Sequence, residues 1–131
     1  MHNRKTLGLE DAKRIAAAAE AEARRNNWNV VIAIVDDGGH LMYLQRDKAQ
    51  LGSIEVAITK AKVALMFRRP TKNWEEMLAT GRLGYLAMPG MLPLEGGLPL
   101  TSDGEIVGAI GISGVKSSED GQIAQAGVTA L

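Results

Sequence analysis

The chain contains no cysteine, which excludes disulfides, thiolate metal sites and a cysteine nucleophile. Aromatic residues are scarce, at 4% of 131 residues, so aliphatic side chains and alanine must fill the core. Neither charge sign is in excess: fifteen Lys and Arg balance fifteen Asp and Glu. Without a positive field there is no electrostatic footprint for a polyanion, and no nucleic-acid partner is expected. Neutrality also removes the repulsion that keeps monomers apart, which favours a homo-oligomer. No apolar run is long enough to cross a bilayer, so no membrane partner is expected. The start, Met1-His2-Asn3-Arg4-Lys5, leads into a charged amphipathic stretch and not an apolar signal core; the expected location is cytoplasmic.

The length suits one core, so residues 1–131 are expected to form a single domain. Leu9, Ala12, Ile15, Ala16, Ala19 and Ala23 recur at helical spacing, predicting a helix from Leu9 to Arg25 that lies tightly on a sheet. Strands are predicted at Trp28–Asp36 and Leu41–Arg46, joined through Asp36-Asp37-Gly38-Gly39-His40 as a hairpin. Ser53 to Phe67 returns to a helical period, with Ser53 placed to cap it and Pro70 to stop it. Asn73–Thr80 reads as a short helix closed by Gly81. Leu83 to Glu95 holds Pro89, Gly90 and Pro93 among apolar residues, as expected of an irregular connection packed over a pocket, a neighbour subunit or the sheet edge. Gly97–Thr101 and Glu105–Ser113 form a second hairpin, and Ser117 or Ser118 caps a last helix. The fold class is therefore α/β in the α+β sense, an antiparallel sheet of two hairpins flanked by helices.

Lys60 is the sharpest oddity. Its helical neighbours are Ser53, Val56, Ala57, Val63, Ala64 and Phe67, an almost wholly apolar surround. A lysine there must find a partner, lose its charge or snorkel to the surface. It can be an anion-binding ammonium, or the cation of a structural pair with Asp36 or Asp47. Arg46, at a strand end, offers a planar fork that could clamp a carboxylate together with Lys60, or pair locally with Asp47. Gly96-Gly97-Leu98-Pro99 opens the second hairpin, where adjacent glycines admit close backbone approach or simply make a tight bend. His40 and His2 are the only histidines and have no second ligand at recognisable spacing, so no metal site is expected. Met88 and Met91 are soft side chains that could pack on a porphyrin or fill space, and Glu75-Glu76 opens a short helix. Gly111-Ile112-Ser113-Gly114 is one residue short of a nucleophile elbow, which argues against a hydrolase.

These residues stand in a familiar order. Val35-Asp36-Asp37-Gly38-Gly39-His40-Leu41, Arg46-Asp47, Lys60-Ala61, Ala64, Phe67 and Pro70-Thr71 resemble the first half of GlcG/HbpS-like proteins, a haem-degrading-domain family. Gly96-Gly97-Leu98-Pro99-Leu100, Val107 to Gly114 and Glu119-Asp120 resemble the second half. The resemblance spans nearly the whole chain. It implies an antiparallel sheet flanked by helices, a dimer or larger assembly, haem binding in some members, and a place in small-molecule catabolism. It also implies a pocket around Arg46, Lys60, Thr71, Gly96, Gly97 and Pro99. Asp47-Lys48-Ala49-Gln50 departs from the methionine-aspartate-glycine-alanine run usual after the arginine.

Three functional readings follow. The first is an accessory protein holding haem or a small organic acid near Lys60, Arg46 and the Gly96–Pro99 loop. The second is an enzyme acting on a small carboxylic acid, with Lys60 as base or anchor and Thr71 or Asp36 as its partner. The third is an oligomeric assembly module built on the apolar Leu83–Leu94 segment.

Overall fold

Ala12, Ile15, Ala16, Ala19 and Ala23 form the buried stripe of α1 (Leu9–Arg25) in the computed structural model, which describes residues 1–131. The helix ends where Asn27 turns left-handed, at φ 60°, and the Trp28 N–H returns to the Ala23 carbonyl at 2.9 Å. That turn uses backbone assigned above to a strand, so β1 is Val31–Asp36 and does not begin at Trp28. Asp36 Oδ1 then accepts the N–H groups of Gly38 and His40, each at 2.9 Å, which folds the chain back into β2 (Leu41–Arg46).

The second helix, α2, is Gly52–Phe67. Ser53 does not cap it: the residue before the helix is Leu51, and Ser53 lies buried inside the first turn. Arg68 closes α2 in the left-handed region at φ 57°, two residues ahead of Pro70. A short α3 (Lys72–Ala79) follows, with Gly81 just beyond it at φ 94°. The Leu83–Glu95 connection carries one 3-10 turn, Leu83–Ala87, and leaves Leu83, Leu86 and Leu94 exposed. The second hairpin is β3 (Gly97–Ser102) and β4 (Glu105–Ser113), turning at Asp103 and Gly104, both of positive φ. The last helix, α4, is Ser117–Thr129. Lys116 stands at its cap position, where its N–H reaches Glu119 Oε1 at 3.2 Å, so neither serine is the cap.

The four strands run antiparallel in the order β2-β1-β4-β3. One face, with Ile32, Ile34, Ile110 and Ile112, is covered by α1 and α4 through Ile15 and Ile123. The other face meets α2: Val35 and Ala109 pack against Ala61 and Ala64. Contact there is close because Gly111 faces the helix. A Cβ at Gly111 would lie 2.0 Å from the Ala57 carbonyl oxygen. Pro99 sits in β3, an edge strand, where proline is tolerated. No helix is long and apolar enough to cross a membrane.

Candidate functional site

The apolar surround of Lys60 becomes real burial in the fold, with 2% of the residue exposed. Its ammonium donates to the Ile112 carbonyl at 2.9 Å and to Asp120 Oδ2 at 3.0 Å. Asp120 is equally buried, and its other oxygen accepts the Val115 N–H at 3.2 Å. Burial pushes the Asp120 carboxyl up to about 6, against the opposing pull of the Lys60 charge and hydrogen bond. The pair corrects two expectations. Lys60 does not snorkel, and its partner is neither Asp36 nor Asp47. Asp36 is spent on its own turn, and Asp47 is exposed past the end of β2.

The glycine motif lies directly on this pair. Gly96 takes φ 131°, and a Cβ there would stand 2.7 Å from the Ile112 oxygen and 2.8 Å from the Lys60 ammonium. At Gly97 a Cβ would come 2.3 Å from the Lys60 carbonyl oxygen and 2.8 Å from Thr71 Cγ2. Both glycines are therefore required by close packing. Thr71 is fully buried; its N–H donates to the Gly97 carbonyl at 3.0 Å, and its Oγ1 accepts the Gly97 N–H at 2.9 Å. Lys60, Thr71, Gly96 and Gly97 thus form one connected unit, completed by Asp120. Pro99 continues the same strand opposite Ala109.

Arg46 stands apart. Strand β2 is the outer strand opposite β3, with β1 and β4 between them. Its guanidinium donates to the Ala49 carbonyl at 3.2 Å, so neither the clamp with Lys60 nor the pairing with Asp47 is formed. The base-and-partner arrangement is not assembled either. The Thr71 hydroxyl is engaged by Gly97, Asp36 closes the first hairpin, and the Lys60 ammonium faces Ile112 and Asp120.

In front of the glycines lies a cleft of about 370 Å³, and Lys60, Thr71 and Asp120 are not part of its lining. Gly96 and Gly97 floor it. Pro70 and Lys72 bound one side, Ser118 and Gln122 of α4 the other, and Glu95 and Leu98 complete the wall. Glu75 braces this rim: Oε1 accepts the Glu95 N–H at 2.9 Å and Oε2 the Ser117 hydroxyl at 3.4 Å. Chemically the cleft offers one cation, Lys72, which lies 3.9 Å from Glu76, and one carboxylate, Glu95, together with hydroxyl and amide groups on α4.

Two parts of this arrangement were missed in the sequence. Asp120, named above only within the Glu119-Asp120 motif, shares the buried stripe of Ile123, Ala124 and Gly127 at three, four and seven residues. That spacing was the available signal. The second is an aromatic row, with Phe67 edge-on to Trp74 at 5.2 Å and Trp74 edge-on to Tyr85 at 5.0 Å; its members sit on three successive elements, so no single helical period reveals it. His40 is an exposed turn residue 3.6 Å from Asp36, and no group of three His, Asp or Glu is arranged to hold a metal ion.

Known proteins share this architecture. The chain is 43% identical to protein GlcG of Escherichia coli over 115 residues, covering 86% of this chain and 85% of that protein. The crystal structure of a double mutant of Streptomyces reticuli HbpS superposes with a TM-score of 0.89 at 33% identity, over all of this chain and 90% of that one. A crystal structure of a PduOC–haem complex superposes with a TM-score of 0.87 at 29% identity, over 97% of this chain and 96% of that one. The haem-degrading HbpS-like family profile matches residues 7–129. With the profile spanning nearly every residue and a relative 43% identical over most of both chains, this chain belongs to the HbpS-like family.

Proposed function

We propose that the chain is a ligand-binding accessory protein that holds a small organic acid in the cleft over Gly96 and Gly97. The observation that carries this reading is the floor itself: two glycines pressed onto a buried Lys60–Asp120–Thr71 unit, with Lys72 at the rim. A backbone held this rigidly keeps the cleft formed before the ligand arrives, which lowers the entropic cost of binding. Lys60 and Thr71 act from behind the floor as positioning residues, Lys72 receives the carboxylate, and Ser118 and Gln122 receive other polar groups of the ligand. Pro99 stiffens the strand that leads away from the floor. Arg46 has no part in this cleft.

Thermal-shift and calorimetric titration with a panel of short carboxylates tests the reading. Saturable stabilisation that Lys72→Ala weakens is expected. If no carboxylate in the panel binds, the reading fails.

Haem is the second reading. A specific patch favours it, as does the haem held by the PduOC relative. The Gly96–Gly97 cleft has no His, Met, Tyr or Cys in its lining and so offers no usual haem-iron ligand. A separate hollow of about 460 Å³, lined by Arg82, Gly84, Tyr85 and Met88, has a better donor set. Tyr and Met side chains are haem-iron ligands, and Arg pairs with propionates. In this reading Arg82 would hold a propionate and Tyr85 or Met88 the iron. When bound, haem supplies redox and oxygen chemistry. Hemin titration of the protein and of Tyr85→Phe and Met88→Ala tests the assignment through the Soret band.

Exposed Leu51, Met66, Leu83 and Leu86 support assembly into a homo-oligomer. Light scattering that shows only monomer at micromolar concentration would count against it.

A further inference from the structure

A second cleft, of about 530 Å³, lies toward the β2 edge of the sheet, where α1 ends, β1 begins and β2 finishes. It shares no lining residue with the Gly96–Gly97 cleft. Its floor is apolar, from Ala23, Val30 and Ile32, and Trp28 is half-buried beside it. The wall is pre-arranged by a chain of side chains. The Tyr43 hydroxyl donates to Gln45 Oε1 at 3.2 Å, and Gln45 Nε2 donates to Glu20 Oε1 at 2.8 Å. Glu20 in turn pairs with Arg24 at 3.4 Å. At the mouth stand Asn27, Asn29, Asp47 and Lys48, all exposed.

The chemistry of this lining is specific. Its formal charges cancel, Glu20 and Asp47 against Arg24 and Lys48, so no ion of either sign is favoured. Amide and carboxylate groups supply donors and acceptors side by side, as an array of hydroxyl groups requires. The half-buried Trp28 indole and an aliphatic floor supply apolar surface for the C–H groups that a polyol or sugar ring presents on its less polar side. The fixed Tyr43–Gln45–Glu20 chain removes part of the ordering cost that exposed polar side chains would otherwise impose. We propose that this cleft binds a neutral polyhydroxylated small molecule, a monosaccharide or short polyol, independently of the acid site.

The test is fluorescence titration of the full-length protein with glucose, galactose, sorbitol and glycerol. Trp28 is the reporter; Trp74 is buried in its aromatic row. A saturable change with a Kd in the region of about 1 mM is expected for at least one of them. Asn29→Ala and Asp47→Ala, both at exposed positions, should each weaken it by about tenfold, whereas Lys72→Ala should leave it unchanged. Trp28→Phe should abolish the signal while calorimetry still detects binding. The proposal is overturned if none of the four ligands saturates, if free glycine or an acetate salt binds here in their place, or if Asn29→Ala and Asp47→Ala leave the affinity unaltered. Failure of carboxylates at the Gly96–Gly97 cleft would not affect this result, because the two sites have separate residues and separate readouts.

Discussion

Lys60 on α2 and Asp120 on α4 meet at 3.0 Å, with side-chain exposures of 2% and 3%, although sixty residues separate them in the chain. The pair fastens two helices that lie on opposite faces of the sheet, and the Ile112 carbonyl of β4 is its third member. Removing one charge strands the other in the interior. Lys60→Met should cost roughly 3–5 kcal/mol at neutral pH, measured by urea denaturation. The double variant Lys60→Met with Asp120→Leu should recover much of that loss, because an apolar pair of similar bulk needs no counter-charge.

The same pair gives a signed pH dependence. The Asp120 carboxyl is raised in the folded state to about 6 from 3.8, chiefly by burial. The folded protein therefore binds this proton more tightly than the unfolded chain does. The stabilising contribution is complete below 3.8 and is lost as pH rises through about 6. Relative to Asp120→Asn, which cannot titrate, the wild-type protein should gain stability as pH falls across that window. Parallel denaturation curves of the two proteins check it; a difference that is flat with pH, or of opposite slope, contradicts it.

Glycine substitutions should separate sharply by position. Gly111→Ala drives a methyl group to within 2.0 Å of the Ala57 carbonyl oxygen, where helix and sheet backbones meet, and neither can yield cheaply. A loss of at least about 3 kcal/mol or failure to fold is expected. Gly52→Ala, in the first turn of α2 with nothing within 4 Å of the new methyl, should be neutral or stabilising by up to about 1 kcal/mol. Thermal unfolding of both variants makes the comparison.

Thr71 and Gly97 bond to each other through both backbone and side chain. Thr71→Val keeps the shape but leaves the buried Gly97 N–H without its acceptor, at a cost of about 1–3 kcal/mol. Thr71→Ser keeps the oxygen and should lose less. If the acid cleft depends on this tether, ligand affinity should fall in Thr71→Val and be retained in Thr71→Ser, as calorimetry would read.

Arg46→Ala should leave carboxylate binding at the Gly96–Gly97 cleft unchanged within about twofold. The guanidinium serves the Arg46–Ala49 turn on the opposite edge of the sheet. A large loss of affinity in this variant would reopen the clamp that the strand order separates.

Much of the architecture was legible where side-chain period alone decides. The alanine stripe set the limits of α1 at Leu9 and Arg25, and β2 ran from Leu41 to Arg46 as expected. Errors fell at ends. Trp28 reads as a strand residue by propensity, but its N–H is taken by Ala23 to close a helix. Ser53 and Ser117 or Ser118 read as caps by type, but the turns placed Leu51 and Lys116 at those positions. Terminal residues answer to the geometry of the turn that joins two elements, which propensity does not encode.

The sequence by itself determined that Lys60 would lie against apolar neighbours, because those neighbours are three, four and seven positions away on one helix and need no tertiary information. Only the tertiary structure decided what answers its charge. Asp120, Ile112 and Gly96 reach it from α4, β4 and the approach to β3, three segments that the sheet order brings together. It also placed Arg46 two strands away from them. Local spacing governs which face a residue occupies, whereas contact across a sheet depends on strand order, and strand order is settled by the packing of the whole core.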